Sequence, residues 1–360
     1  MRVPAWHLSC LPIGTPHIQG TAVPALASAS VWNPSVFGHA GRGLRYAERS
    51  SCDVDEHATH ISGWDQEYDQ LSCGRFTGAV RELWVEGGPR LQIFHEHTGQ
   101  QTSQQCRPWP GSVWFGVPDG QSNDALHFSG RLQPSDRMRL LMSARADDGF
   151  ALRTPRDFGI YGVVVDQAWL GDRLTRQGTS GVQVAELAPH AHVAICQTVE
   201  ALFGLGASGT TLGHANADTV QCLLERLLGL LSGATPGSAR DAQFQAGQRR
   251  LDAVMAARSL AVQPLNHAMT LDELCLHLHV TPRTLRNHFR SVVGESPVEF
   301  LRAVRLNACR RKLSGTQRDG TVQEVAAQWG FFHMGRFSHD YKAMFGELPS
   351  QTLRHSRASH

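Results

Sequence analysis

A chain of 360 residues, 41% hydrophobic and 18% charged, is long enough for two domains that each bury a core without disulfide or metal staples. No apolar run approaches the ~20 residues of a membrane-spanning helix, so a soluble protein is expected. The eight cysteines (Cys10, Cys52, Cys73, Cys106, Cys196, Cys222, Cys275 and Cys309) include no CxxC pair and no zinc-ligand spacing, which points to reduced, structural thiols. The net charge of +2 hides an asymmetry: residues 249–360 hold 16 Lys and Arg against 9 Asp and Glu, a balance of +7, and the remainder sums to −5. A basic segment attached to an acidic one suggests that the basic part meets nucleic acid.

Residues 1–50 are rich in Ala, Pro, Gly and Ser and lack apolar periodicity, so a flexible arm is expected there. Pro4, His7, Pro12, Gly14, Pro16 and His17 interrupt any signal-peptide core, which favours a cytoplasmic location. Residues 51–231 read as a β-rich domain. Short apolar runs at 79–85, 91–94, 112–117, 125–128 and 158–165, each bounded by turn residues, predict strands of a sandwich or barrel. Helical periods follow over 166–175, 190–205 and 216–231. In the last, Val220, Leu223, Leu224, Leu227, Leu228 and Leu231 line one face, to be buried either on the domain's own sheet or across a dimer interface. Residues 232–242, with two Gly and a Pro in SGATPGSARD, read as a linker.

Residues 243–360 read as an all-α domain, making the whole chain α+β. Thr270 with Glu273 and Thr321 with Glu324 have the spacing of capping boxes, in which a hydroxyl and a carboxylate satisfy amides left unpaired by a first helical turn. Thr281 and Pro282 open a further helix. Its apolar face carries Leu285 and Phe289; Arg283, Thr284, Arg286, Asn287 and Arg290 lie on the other. The plan recurs about fifty residues later, where a helix over 334–345 buries Phe337 and Tyr341 and shows His333, Arg336, Ser338, His339 and Lys342. Two helix-turn-helix units result, joined by one linker helix over 297–313. Arginine suits guanine edges and phosphates and asparagine suits adenine, because each offers paired hydrogen-bonding groups in a fixed plane. These ten residues are the candidate DNA contacts.

The stretches LDELCLHLHVTPRTLRNHFRSVVGESPVEFLRAVRLNACRRKL and TVQEVAAQWGFFHMGRFSHDYKAMFGELPSQTLR resemble the AraC/XylS family of bacterial regulators over about a hundred residues. The matching positions include Leu274, Leu285, Phe289, Gly294, Pro297, Leu301, Arg305, Leu306, Leu313, Val325, Ala326, Gly330, Phe331, Phe337, Phe345, Gly346 and Pro349. The family usually has Ala in place of Cys275 and Gly in place of His279, which puts the packing and turn of the first unit in question. WDQEYDQLSCGRFTGAVRELWVEGGPRLQIFHEHTGQ is similar, more weakly, to the sensory domains of regulators related to XylS and to ethanolamine utilisation. The resemblance implies a β-rich domain that binds a small-molecule effector and dimerises, with double-stranded promoter DNA and RNA polymerase as further partners. It implies an activator of a catabolic operon; the alternative is a ligand-independent regulator governed by a protein partner.

Trp84, Phe94, Trp114, Phe115 and Tyr161 are candidate effector contacts or core residues. His95 and His97 have the HxH spacing of a metal-binding strand, but no second ligand set stands out. Cys196 lacks the glycines of a nucleophile elbow. No catalytic residue, cofactor or metal ligand is assigned.

Overall fold

The computed structural model describes residues 43–122, 124–133, 139–170, 182–208, 214–233, 241–263, 269–315 and 320–358. Most of the expected arm and of the linker, and part of the helical stretch over 166–175, lie outside the described residues. Strands are numbered in chain order. The larger sheet has seven antiparallel strands in the order β1 (Leu44–Ser51), β3 (Gly78–Val85), β4 (Leu91–Thr98), β11 (Phe158–Asp166), β6 (Ser112–Pro118), β9 (Leu140–Arg145) and β12 (Gln183–Glu186). The smaller has five: β2 (Asp65–Gln70), β5 (Thr102–Arg107), β10 (Phe150–Thr154), β7 (Leu126–Phe128) and β8 (Arg131–Gln133). A short helix, α1 (Val54–Ala58), follows β1, and α2 (Gln167–Leu170) follows β11.

The sheets face each other as a sandwich. Alternate residues point inward, so Val80, Trp84, Phe94, Trp114 and Ile160 of the larger sheet meet Tyr68, Leu126, Phe128, Phe150 and Leu152 of the smaller. Trp114 and Phe150 stack across the gap with ring centroids 4.1 Å apart. Gly162 leaves room for this layer: a Cβ there would lie 2.1 Å from the ring of Phe94 on the adjacent strand. All five aromatic candidates (Trp84, Phe94, Trp114, Phe115 and Tyr161) are buried, so core packing accounts for them.

The outer face of the larger sheet is also apolar. Helices α3 (Pro189–Ala207) and α4 (His214–Gly233) cover it, with Ile195, Val199, Leu202 and Phe203 from α3 and Val220, Leu224, Leu227 and Leu231 from α4 closing over Leu83, Ile93, Phe115 and Val163. The leucine stripe is therefore spent on the domain's own helix and sheet, and that face is not free for a dimer. The expected arm needs a correction at its end, because residues 44–50 are paired with β3 in strand β1.

Seven helices make up the rest: α5 (Asp241–Val262), α6 (Leu271–His277), α7 (Pro282–Val292), α8 (Pro297–Ser314), α9 (Val322–Gln328), α10 (Met334–Phe345) and α11 (Pro349–Ala358). Leu285, Phe289, Phe300, Val304, Leu306, Val325, Phe337 and Tyr341 form their common core, which Leu71 at the end of β2 joins from the sandwich. Among the described residues no helix is long and apolar enough to cross a membrane.

Truncating Leu227, fully buried in the stripe, to Ala is expected to cost about 2–5 kcal/mol of unfolding free energy. The loss should not depend on protein concentration in urea titrations; a loss that grew on dilution would instead place the stripe at a subunit interface.

Candidate nucleic-acid interface

Each candidate reading helix is placed by a small helix in front of it. Thr270 Oγ1 accepts from the Glu273 amide at the start of α6 while Glu273 Oε2 accepts from the Thr270 amide at 2.7 Å. Thr321 and Glu324 do the same for α9. Thr281 caps α7, its hydroxyl accepting from the Thr284 amide, and Pro282 occupies the first helical position. The three capping signals read from the sequence thus set three helix starts.

The turns differ between the units. Between α9 and α10, Gly330 takes a φ of 83°; between α6 and α7, His279 holds a left-handed φ of 53°. A side chain in that region is strained, and glycine is not. His279, where the resemblance expected glycine, therefore holds a left-handed turn at a local cost. Cys275, the other departure, is buried in the core of the helical domain.

Leu285, Phe289 and Val292 anchor α7, and Phe337, Tyr341, Met344 and Phe345 anchor α10. On the opposite faces Arg283, Arg286, Asn287 and Arg290 are exposed, as are Arg336, His339 and Lys342 and the N-cap residue His333. Thr284 and Ser338 are half-buried, and the Thr284 hydroxyl lies 2.9 Å from that of Thr281, within the cap. The two faces are carried by one helix, α8, whose 18 residues span about 27 Å at 1.5 Å per residue.

Sequence reasoning did not find what holds this pair of heads. Asp69, wholly buried on β2, accepts from Arg258 Nε of α5 at 2.7 Å and from Arg311 Nη2 of α8 at 2.9 Å. Glu67 pairs with the same two arginines, Asp55 with Arg311 at 2.6 Å, and Asp53 with Arg310 at 2.8 Å. Beside these ions the Asn307 side chain of α8 exchanges two hydrogen bonds with the Gln70 backbone, at 2.9 and 3.0 Å. The sandwich also grips both candidate reading helices at their C-terminal ends. The Gly74 amide donates to the Ala343 and Met344 carbonyls, Gln70 Nε2 donates to the Met344 carbonyl, and Arg153 pairs with Glu295 just after α7.

The charges respond to this setting. Burial works against the Asp53 and Glu67 carboxylates, yet Arg310 and Arg258 outweigh it and hold both carboxyls below the usual range. Asp55 is pushed the other way, to about 6, because burial exceeds the help of Arg311. Burial, with the charge of Arg153, lowers His127 to about 4.

His95 and His97 lie on one face of β4 as alternation requires, but Glu96 turns inward to His57 at 3.0 Å and His95 bonds Asp119 at 3.2 Å. Among the described residues no three His, Cys, Asp or Glu gather as a metal site. Cys196 sits inside α3, where burial and Asp119 push its thiol up to about 11, the reverse of nucleophile activation.

Residues 274–355 match a family model described as a helix-turn-helix domain. The chain is 37% identical over 91 residues to the XylDLEGF operon transcriptional activator 3 of Pseudomonas putida, a match covering 25% of this chain and 28% of that protein. It is 35% identical over 96 residues to the probable thc operon regulatory protein of Rhodococcus erythropolis, covering 26% and 27%. The match thus spans little more than a quarter of either relative. A solved structure of a probable AraC family transcriptional regulator from Rhodopseudomonas palustris is 30% identical, covering 29% of this chain and 97% of that one, with a TM-score of 0.27.

Two outcomes are expected from the geometry. Asp69→Ala removes a shared partner of buried Arg258 and part-buried Arg311, each of which keeps Glu67, and should cost about 1–3 kcal/mol in urea unfolding at neutral pH; a loss under about 0.5 kcal/mol would mean that the remaining carboxylates and water take its place. The contribution of Asp53 and Glu67 should be present above the ordinary carboxylate value of about 4 and be lost as pH falls through their depressed values, whereas Asp55, raised to about 6, favours the docked form as pH falls through that range. Separately, His279→Gly should raise stability by about 1 kcal/mol by relieving the left-handed backbone, seen as a higher urea midpoint with unchanged slope.

Proposed function

We propose that this chain, whose C-terminal region is an AraC/XylS-type helix-turn-helix domain, is a sequence-specific regulator of transcription that reads double-stranded promoter DNA with two heads. The observation that carries the reading is the pairing of α7 and α10: each is placed by a capped helix, each shows Arg with Asn or His on its outer face, and both are fixed to the one rigid helix α8. A spacer of about 27 Å suits two helices set in successive major grooves, which recur about every 34 Å. Arg283, Arg286, Asn287, Arg336 and His339 are the base-reading candidates. Thr284, Arg290, His333, Ser338 and Lys342 complete the contact surface through phosphates or cap geometry.

In this reading the protein activates a catabolic operon near RNA polymerase, which the similarity to operon activators supports. A small-molecule effector acts through the sandwich. A cleft of about 550 Å³ between β2, β5, β10 and α5 is lined by Gln66, Glu67, Arg107 and Met255, a volume within the range of ligand sites. Glu67 is also a partner of Arg258 and Arg311. An effector seated there acts on the ionic contacts that orient the heads and shifts an existing equilibrium between poses. Dimerisation, if the protein pairs on its operator, uses a surface other than the leucine stripe.

The test is a nuclease footprint on the DNA flanking the protein's own gene at stated salt, since affinity without salt carries no meaning. Two adjacent direct repeats about one helical turn apart should be protected. Arg286→Ala and Arg336→Ala should each cost about 1–3 kcal/mol on that site and relax preference at one base position. Equal loss on every sequence would make them phosphate contacts.

A further inference from the structure

A second cleft, about 410 Å³, opens inside the helical domain between the two heads. Its walls are apolar, with Leu274 of α6, Val298 and Leu301 of α8, and Phe331, Phe332 and Phe337 around the start of α10. Val298 and Phe332, at 64% and 66% exposure, are among the few large apolar side chains left standing in water, and both belong to this one cleft. Exposed apolar surface gathered in a concavity marks a binding site more often than a fold defect.

The charges in the cleft are out of balance. Arg302, Arg305 and Arg336 line it together with one carboxylate, Asp340, and that carboxylate is already paired with Arg302. Among the described residues Arg305 is bonded only to the Met269 carbonyl, at 2.8 Å. Burial disfavours its charge, and burial, followed by the charge of Arg336, disfavours that of Arg302. A guanidinium so placed gains most from an anion that fits its planar fork.

We propose that this cleft binds an organic anion with an apolar body and a single carboxylate, and that the occupant competes with DNA for the second head. The competition rests on the two-headed reading above, because Arg336 and His333 line the cleft and are also candidate contacts to DNA. The apolar walls argue against phosphate as the natural occupant, since a phosphate backbone leaves Val298 and Phe332 uncovered.

The probe is 4-phenylbutyrate, with its neutral amide as control, titrated calorimetrically into the full chain. Saturable one-to-one binding is expected, weakened about tenfold or more for the amide and for Arg305→Met, a difference of about 1.4 kcal/mol. Arg305 also supports Met269, so a second variant, Val298→Trp, fills the cleft from its exposed rim and should abolish binding while leaving DNA affinity without probe unchanged. In footprints the probe should weaken protection of the half-site of the second head about tenfold in the native chain and not in Val298→Trp. No saturation by about 1 mM, or binding that both variants leave intact, overturns the site; binding without loss at the half-site overturns the competition. Calorimetry needs no DNA, so failure of the two-headed reading would show as absent footprints beside intact probe binding.

Discussion

The arrangement of this molecule turns on one buried carboxylate. Asp69 is shut off from solvent and satisfied by two guanidinium groups, from α5 and from α8. A charge so deeply placed is tolerable only when paired and hydrogen-bonded, so these pairs define the seat that the helical domain takes on the sandwich. Glu67, Asp55, Asp53 and the Asn307 amide extend that seat along β2 and α8. Shape alone would leave the two parts free to slide; directed ion pairs fix the register between them.

This use of charge changes the meaning of the asymmetry in the sequence. An excess of +7 in residues 249–360 looks like a surface for DNA, and the exposed arginines of α7 and α10 fit that. Arg258, Arg310 and Arg311, however, face inward to the acids of the sandwich. The −5 of the remainder is likewise partly a docking surface. A charge count can say that two parts attract opposite partners, but it cannot say that each is in part the partner of the other.

The legible parts of the fold were those with a strong local signal. Helices α7 and α10, their caps and the helix between them follow from Thr, Glu and Pro at fixed offsets and from apolar periodicity, and the strands at 79–85 and 158–165 follow from Val, Ile and Phe between turns. Strands β1, β2 and β5 were missed because LRYAERSS, DQEYDQ and TSQQCR are polar. Their polarity is what the tertiary structure needs on β2: Asp69 and Gln70 are buried, but among hydrogen-bonding partners supplied from far along the chain. Burial of that kind leaves no hydrophobic period to read. Of the reading residues, the exposed arginines were legible from helical spacing, whereas the role of Thr284 within its cap depends on the observed contact with Thr281.

The place where the sandwich grips the heads bears on how regulation works. Its contacts fall at the C-terminal ends of α7 and α10, on Glu295 and on the Ala343 and Met344 carbonyls. The exposed residues nearest the N-terminal ends, Arg283, Arg286 and Arg336, stay open to solvent in the docked form. Reading helices of this type present their N-terminal residues to the groove, so docking does not by itself mask the heads. Regulation by occlusion would have placed the contact at the other end. On the reading proposed above, the sandwich bears on α7 and α10 directly as well as through α8, and two heads joined by one helix bind a pair of sites well only when their pose matches the spacing of the grooves. On that reading, regulation at the β2 ion pairs would act on DNA affinity by moving the heads and not by uncovering a reading residue.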